Sequence, residues 1–252
     1  MIASRWRPLL LAISTVLLGA IAAGSPASAG SFKVNPVNLA MPADRSTTSL
    51  SLANSGSEPV SVRVLTYRWT QVGGDDVYTE STNVIVSPPI FTLDPGQAQL
   101  VRVGLRDRRP GEAYRVVFEE IPRQGASGTV VQVALRLDLP LYVEAAGAKP
   151  NVAWQAWRDG AGAITFEATN SGARHQKVLS IGLDRADGEA VLTREMGVVL
   201  PSSSRRWVVG KQADLTAGSS VTLSIRTPAG EAQRKVVVQQ REPCLGVGLR
   251  SG

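Results

Sequence analysis

The sequence predicts an all-β protein built as two antiparallel β-sandwiches in tandem, and three observations carry that prediction. Apolar residues recur with a period of two through nearly every segment after residue 30. Clusters of Gly, Pro, Asn, Asp and Ser separate those runs, and one small-residue elbow, AAGAKPN (145–151), divides them into two sets. A period of two places successive side chains on opposite faces of a strand, which no helical spacing does.

The chain opens with MIASRWRPLLLAISTVLLGAIAAGSPASAG, in which Arg5 and Arg7 precede an apolar run from Leu9 to Ala23 and the small triplet Ala27-Ser28-Ala29. This reads as a secretory signal over residues 1–29, cleaved to leave a mature chain from Gly30. The apolar run is short for a spanning helix, so an uncleaved anchor is the weaker reading. The first sandwich, residues 30–146, follows from SFKVNPVNLA, STTSLSLAN, VSVRVLTYRW, QAQLVRVGL and YRVVFEEI, divided by NSGSEP, VGGDD, SPP and LDPGQ. The second, residues 147–240, follows from NVAWQAW, AITFEAT, KVLSIGL, RRWVV, VTLSIRT and RKVVVQQ. Residues 241–252, a Gly-rich stretch with Cys244, read as a flexible tail, and no internal repeat stands out.

One strand is too long. VVQVALRLDLPLYV (130–143) carries apolar teeth at Val131, Val133, Leu135, Leu137, Leu139 and Leu141, with Gln132, Ala134, Arg136 and Asp138 between them. At a rise of about 3.3 Å per residue, such a comb extends past an ordinary five- or six-residue strand, leaving backbone and apolar teeth in search of a partner.

Charge and composition exclude several classes. Because the leader holds two arginines and no acid, its removal lowers the net charge from +6 to +4. The mature chain is mildly basic, suited to an acidic partner or a carboxylate, but no Lys/Arg block or aromatic ladder points to nucleic acid. The single cysteine permits no internal disulfide, so packing alone must stabilise the fold. His175, the sole histidine, stands in a turn-like stretch without ligand-spaced partners and reads as a surface residue. No HExxH, GxSxG or phosphate loop is present, and Glu119 and Glu120, as strand neighbours, face opposite ways. The expectation is a protein that is not an enzyme, with no cofactor, no metal and no small-molecule substrate. Trp69, Trp154, Trp157 and Trp207 read as packing residues.

SPPIFTLDPGQAQLVRV (87–103), YRVVFEEIP (114–122) and VVQVALRLDLPLYV, in that order behind a signal, resemble the periplasmic pilus chaperones of the chaperone–usher pathway, and VVLPSSSRRWVV (198–209) is similar to their second domain. The resemblance implies two immunoglobulin-like β-sandwich domains set at an angle, with a cleft between them. It also implies a mechanism: pilin subunits are immunoglobulin-like folds lacking a strand, and the chaperone lends its own long strand, G1, to fill the groove. G1 falls on residues 129–143, with Val131, Val133, Leu135 and then Leu137 as the subunit-binding teeth. The implied partners are pilin subunits and an outer-membrane usher, in the periplasm.

Two departures stand out. Family members commonly anchor the pilin carboxylate with an Arg in the first strand and a Lys on G1, and the matching positions here hold Asn38 and Pro140. The candidate anchors are therefore Arg102, Arg115 and Lys33. Pro140, lacking an N–H, is expected to interrupt the pairing of G1. VNPVNLAMP together with LDLPLYV resembles the archaic branch that serves spore-coat-U-like pilins. One X–Pro bond of the Pro88-Pro89 pair is expected to be cis. The rival is a secreted two-domain sandwich that is itself structural or adhesive and has no pilin client.

Overall fold

The computed structural model describes residues 31–122, 133–185 and 188–240, among which every regular element is a strand. The leader, Val131 and the tail with Cys244 lie outside the described residues.

The first ten strands are β1 (Phe32–Asn35), β2 (Leu39–Met41), β3 (Thr47–Asn54), β4 (Val60–Val72), β5 (Asp75–Glu80), β6 (Val84–Ser87), β7 (Ile90–Leu93), β8 (Ala98–Leu105), β9 (Ala113–Ile121) and β10 (Arg136–Val143). They form a four-stranded sheet ordered β1-β3-β8-β6 and a six-stranded sheet ordered β2-β10-β9-β4-β5, with β7 also paired to β4. Alternation does the sorting: Leu50, Leu52, Val101 and Val103 from one sheet meet Val62, Tyr114, Val116, Phe118 and Leu141 from the other in one buried core. Between β1 and β2 the chain crosses from the four-stranded to the six-stranded sheet, so a single N-terminal segment ties both together. The Asn35–Pro36 and Ser87–Pro88 bonds are cis, the second within the SPP segment where a cis bond was expected. The β4–β5 hairpin turns on Gly73 and Gly74, with φ of 61° and 94°, a two-residue turn that requires both to be left-handed.

The remaining strands are β11 (Val152–Arg158), β12 (Ala163–Asn170), β13 (Gln176–Val178), β14 (Ser180–Arg185), β15 (Gly188–Thr193), β16 (Gly197–Val199), β17 (Ser203–Lys211), β18 (Ser220–Thr227) and β19 (Gly230–Gln240). A seven-stranded sheet, β15-β14-β18-β19-β11-β12-β17, and the short β13-β16 pair enclose a second core around Ile164, Phe166, Ile181, Trp207 and Leu223. Trp154 stacks on Trp207, with ring centroids 5.5 Å apart, so these tryptophans pack as expected.

The two sandwiches share a local device that the strand pattern does not reveal. Asn54-Ser55-Gly56 and Asn170-Ser171-Gly172 each end a core strand with a buried asparagine. Asn54 Nδ2 donates to the carbonyls of Glu58 and Leu93, and its Oδ1 accepts the Gly56 N–H. Asn170 repeats the scheme, donating to the carbonyls of Arg174 and Val199 and accepting from Gly172 N–H and Asn151 N–H. A buried amide with all these bonds made fixes the turn that follows it.

Gly172 is then pressed against the elbow: a Cβ there would lie 2.4 Å from both Asn151 N and Lys149 O, which are backbone atoms and cannot yield. Gly172→Ala is expected to lower the melting temperature through a loss on the order of 1–3 kcal/mol. Gly160→Ala, where a Cβ meets nothing within 4 Å, serves as the silent control in the same thermal melts.

Candidate functional site

Backbone parity decides what β10 offers. Glu120 N–H donates to Leu135 O at 2.9 Å and Val143 N–H to Glu112 O at 2.9 Å, so odd residues of this segment bond toward β9. Even residues present their N–H and C=O to the other edge, where Glu144 N–H reaches Met41 O at 3.0 Å. On that edge β2 pairs in parallel with Leu141–Val143 only. From Arg136 to Pro140 the edge has no neighbouring strand among the described residues. The expected interruption at Pro140 does not occur. Pro140 keeps its register with Arg115 on β9, because its missing N–H belongs to the outer edge and not to the ladder with β9.

The comb divides at the same place. Leu139, Leu141 and Val143 are buried in the protein's own core, and Leu137 is half-buried against it. Leu135 is half-buried and held through its N–H by Glu120 Oε2 at 3.1 Å, whereas Val133 is 63% exposed.

The outer face of the six-stranded sheet is laid out in cross-strand rows. Glu119 joins Arg63 at 2.9 Å and Arg136 at 2.7 Å, an ion triad spanning three strands. The next rows are Leu65, Val117 and Asp138; then Tyr67, Arg115 and Pro140; then Trp69, Ala113 and Tyr142. Over the last row the second sandwich closes down: Leu200 packs with Trp69 and Ala113, flanked by Val198 and Tyr142. In the rows beyond it, which face the cleft between the sandwiches, Asp138 is exposed and Leu65, Tyr67 and Pro140 are half-buried, while Val117 is fully buried.

The joint at the base of that cleft is polar and specific. Asp76 Oδ1 accepts from Trp69 Nε1 and Gln71 Nε2, each at 2.8 Å, while its Oδ2 is held by Arg205 of β17. Gln71 also donates to Val198 O at 2.7 Å and accepts the Leu200 N–H at 3.0 Å. Burial pushes the Asp76 carboxyl up, but the hydrogen bonds from Gln71, Trp69 and Arg205 outweigh it and hold the group below its ordinary value.

Arg115 occupies the open row. Its guanidinium lies over the Trp69 ring, 3.9 Å from the centroid, with 19% of the side chain exposed. Asp138 and the Tyr78 hydroxyl are each 3.5 Å away, long for hydrogen bonds, and the buried Nε has no hydrogen-bond partner. Because Leu141 pairs with Leu39, Asn38 falls beside Pro140 on one side, and Arg115 is opposite Pro140 on the other. The other two candidate cations are elsewhere. Arg102 alternates with the buried Val101 and Val103, and Lys33 pairs with Ala53 on β3, so both point away from the core on the four-stranded sheet. They stand on the opposite side of the sandwich from Arg115 and share no site with it.

The reading of His175 as a surface residue is corrected: its ring lies against Tyr142, centroids 3.6 Å apart. Gln71, Asp76 and Arg205 were not singled out by sequence. VGGDD reads only as a turn, and the one available signal was the match of SSSRRWVV to a second domain.

An open strand edge, apolar teeth at one end and a partly satisfied cation beside a cleft define a sandwich equipped to hold an extended polypeptide. Residues 31–148 match the family described as pili and flagellar-assembly chaperone, PapD N-terminal domain, and the first sandwich is a chaperone domain of that family. The fold is shared with a chain of the CsuC–CsuE chaperone–tip adhesion subunit pre-assembly complex from archaic chaperone–usher Csu pili of Acinetobacter baumannii. That chain has a TM-score of 0.63 and 20% identity over 83% of this chain and 99% of its own. It is shared also with a chain of the Salmonella enterica SafA pilin–SafB chaperone complex, at a TM-score of 0.56 and 15% identity over 82% and 96%. The E. coli chaperone DraB gives a TM-score of 0.55 and 17% identity over 84% and 97%. No curated protein matches the chain.

Asp76→Asn tests the joint. It removes the closer of two anions from the largely buried Arg205, leaving only Glu195 at 3.7 Å, a loss of about 1.5–3 kcal/mol in thermal or urea unfolding at neutral pH. Because the folded-state pKa of Asp76 is depressed, its contribution is present above the unfolded value of about 3.9 and is lost as pH falls through the folded value. The gap between wild type and variant therefore closes in strong acid.

Proposed function

We propose that the protein is a pilus-assembly chaperone that holds incomplete immunoglobulin-like pilin subunits by lending them its β10 edge and then delivers them to an outer-membrane usher. The observation that carries this reading is the division of one alternating segment. Leu139, Leu141 and Val143 complete the protein's own core, while Val133 stands exposed and the edge from Arg136 to Pro140 lacks a neighbour. A client lacking one strand supplies what that edge lacks, with backbone bonds for affinity and pockets for alternate side chains. Val131, Val133, Leu135 and Leu137 are the donated teeth. Burying each contributes roughly 1.5–3 kcal/mol before ordering and association costs. Residues 1–29 direct the chain to the periplasm and are removed, and the protein belongs with the archaic branch.

Arg115 takes the anchoring role in this reading. It is next to the two positions, Asn38 and Pro140, where the family's usual cations are missing, and its guanidinium has bonding capacity left over. A terminal carboxylate accepts two parallel charge-assisted bonds from such a fork.

The comb is tested by co-expression with pilin-like β proteins encoded beside it and by co-purification. Val133→Glu is expected to fold with an unchanged melting temperature and to lose capture, because a carboxylate then enters an apolar slot at a cost of several kcal/mol. Gln132→Glu, of opposite parity in the sequence alternation, captures normally, and Leu141→Glu unfolds the chaperone itself. Normal capture by a folded Val133→Glu variant defeats the donor-strand reading and leaves the structural or adhesive rival standing.

The anchor is tested separately. Arg115→Ala is expected to weaken capture by roughly tenfold or more, as suits the loss of a charge-assisted pair worth about 1.5–3 kcal/mol. Arg115→Lys restores little of it and Arg102→Ala changes nothing. If Arg115→Ala captures as wild type does, the carboxylate is held elsewhere.

A further inference from the structure

The chain's single imidazole stands at the elbow. The loop that carries His175, between β12 and β13, is strapped to the connecting segment. Ala173 N–H donates to Lys149 O at 3.2 Å, Ser171 N–H to Asn151 O at 2.9 Å, and Arg174 pairs with Glu144 at 2.9 Å. From that loop the His175 ring lies parallel to Tyr142 of β10, planes 10° apart. Tyr142 in turn meets Trp69, 6.0 Å away at 44°. One aromatic column therefore runs from the second sandwich into the first, through the strand that carries the open edge.

The charges facing the imidazole come from three elements, while Arg115 and Asp76 meet the column at its Trp69 end. Arg174 is next to the imidazole on its own loop. From the end of β10 comes Glu144, whose carboxylate is taken by Arg174 and whose carbonyl accepts from Arg108. From the segment before β9 comes Glu112, whose carboxylate is taken by Arg68 at 2.9 Å and by the Tyr114 hydroxyl. Both carboxylates lining the elbow pocket with His175 are thus already engaged, and the Tyr142 hydroxyl, pushed up by burial to about 12, stays neutral. Among the described residues no free anion is left there to receive an imidazolium.

We propose that the His175–Tyr142 stack is an acid-sensitive latch between the sandwiches: the neutral ring docks the second sandwich against β10, and protonation of the ring releases it. Burial first, and the neighbouring Arg174 charge second, hold the imidazole down from 6.5 to about 4. An undocked ring takes its proton near 6.5, so the latch is intact above that pH and weakens as pH falls toward 4. The docking equilibrium then loses on the order of ten- to a hundredfold. The Asp76 joint persists through this range, since its carboxyl is held below the ordinary value, so acid loosens the elbow without parting the domains. The inference does not depend on the chaperone reading and is tested on the protein alone.

The test follows the one imidazole of the untagged protein by proton NMR from pH 8 to pH 4, with small-angle scattering on the same samples. The latch predicts a midpoint well below 6.5 and a rise in radius of gyration as the ring charges. It also predicts that His175→Phe, which keeps the stack without the charge, stays compact at pH 4.5. A midpoint at 6.5 overturns it, as does expansion of wild type and His175→Phe at the same pH. The wild-type titration decides alone if the variant fails to fold.

Discussion

The cleft depends on one carboxylate. Asp76, beside the turn of the β4–β5 hairpin, receives the Trp69 indole and the Gln71 amide from its own sandwich and Arg205 from the other. The bond to Trp69 fixes the plane of the indole, and that plane is the floor on which the Arg115 guanidinium lies. The position of the one cation in the open row thus follows from an anion at the joint, and so does the distance between the sandwiches. A largely buried ion pair is poor value for stability compared with apolar packing, but it has directional demands that leucine lacks. Here those demands help set the orientation of two bodies that also meet through Gln71, Leu200 and the His175–Tyr142 stack.

Most of the architecture was legible because β-sandwiches write their core in the parity of each strand. AQLVRVGL buries Val101, Val103 and Leu105 and turns Arg102 outward just as its alternation says. Parity, however, gives no sheet assignment. Arg102 and Arg115 have the same local pattern, and only the pairing of β8 with β3 and of β9 with β10 puts them on opposite sides of the molecule. For the same reason the comb could be recognised but not divided: Leu135 and Leu139 are equivalent in sequence and differ only in how far the opposing sheet extends over them. The buried amides of Asn54 and Asn170 were illegible in another way. An NSG stretch reads as a turn whether or not its asparagine is buried, and its partners are carbonyls, which sequence does not display. His175 was misread on the same ground, since a polar loop is judged exposed until another domain is laid against it.

Proline at position 140 has a consequence for the molecule when it is alone. An uncovered strand edge invites a second copy to pair with it and so begin a polymer. The uncovered stretch here presents outward amide donors at Arg136 and Asp138, lacks one at Pro140, and is closed from Leu141 onward by β2. Its flanking side chains carry opposite charges already tied to Glu119 and Arg115. Between Arg136 and Pro140 the outward donors number two and end at a proline, so this stretch is a poor template for a second copy of itself.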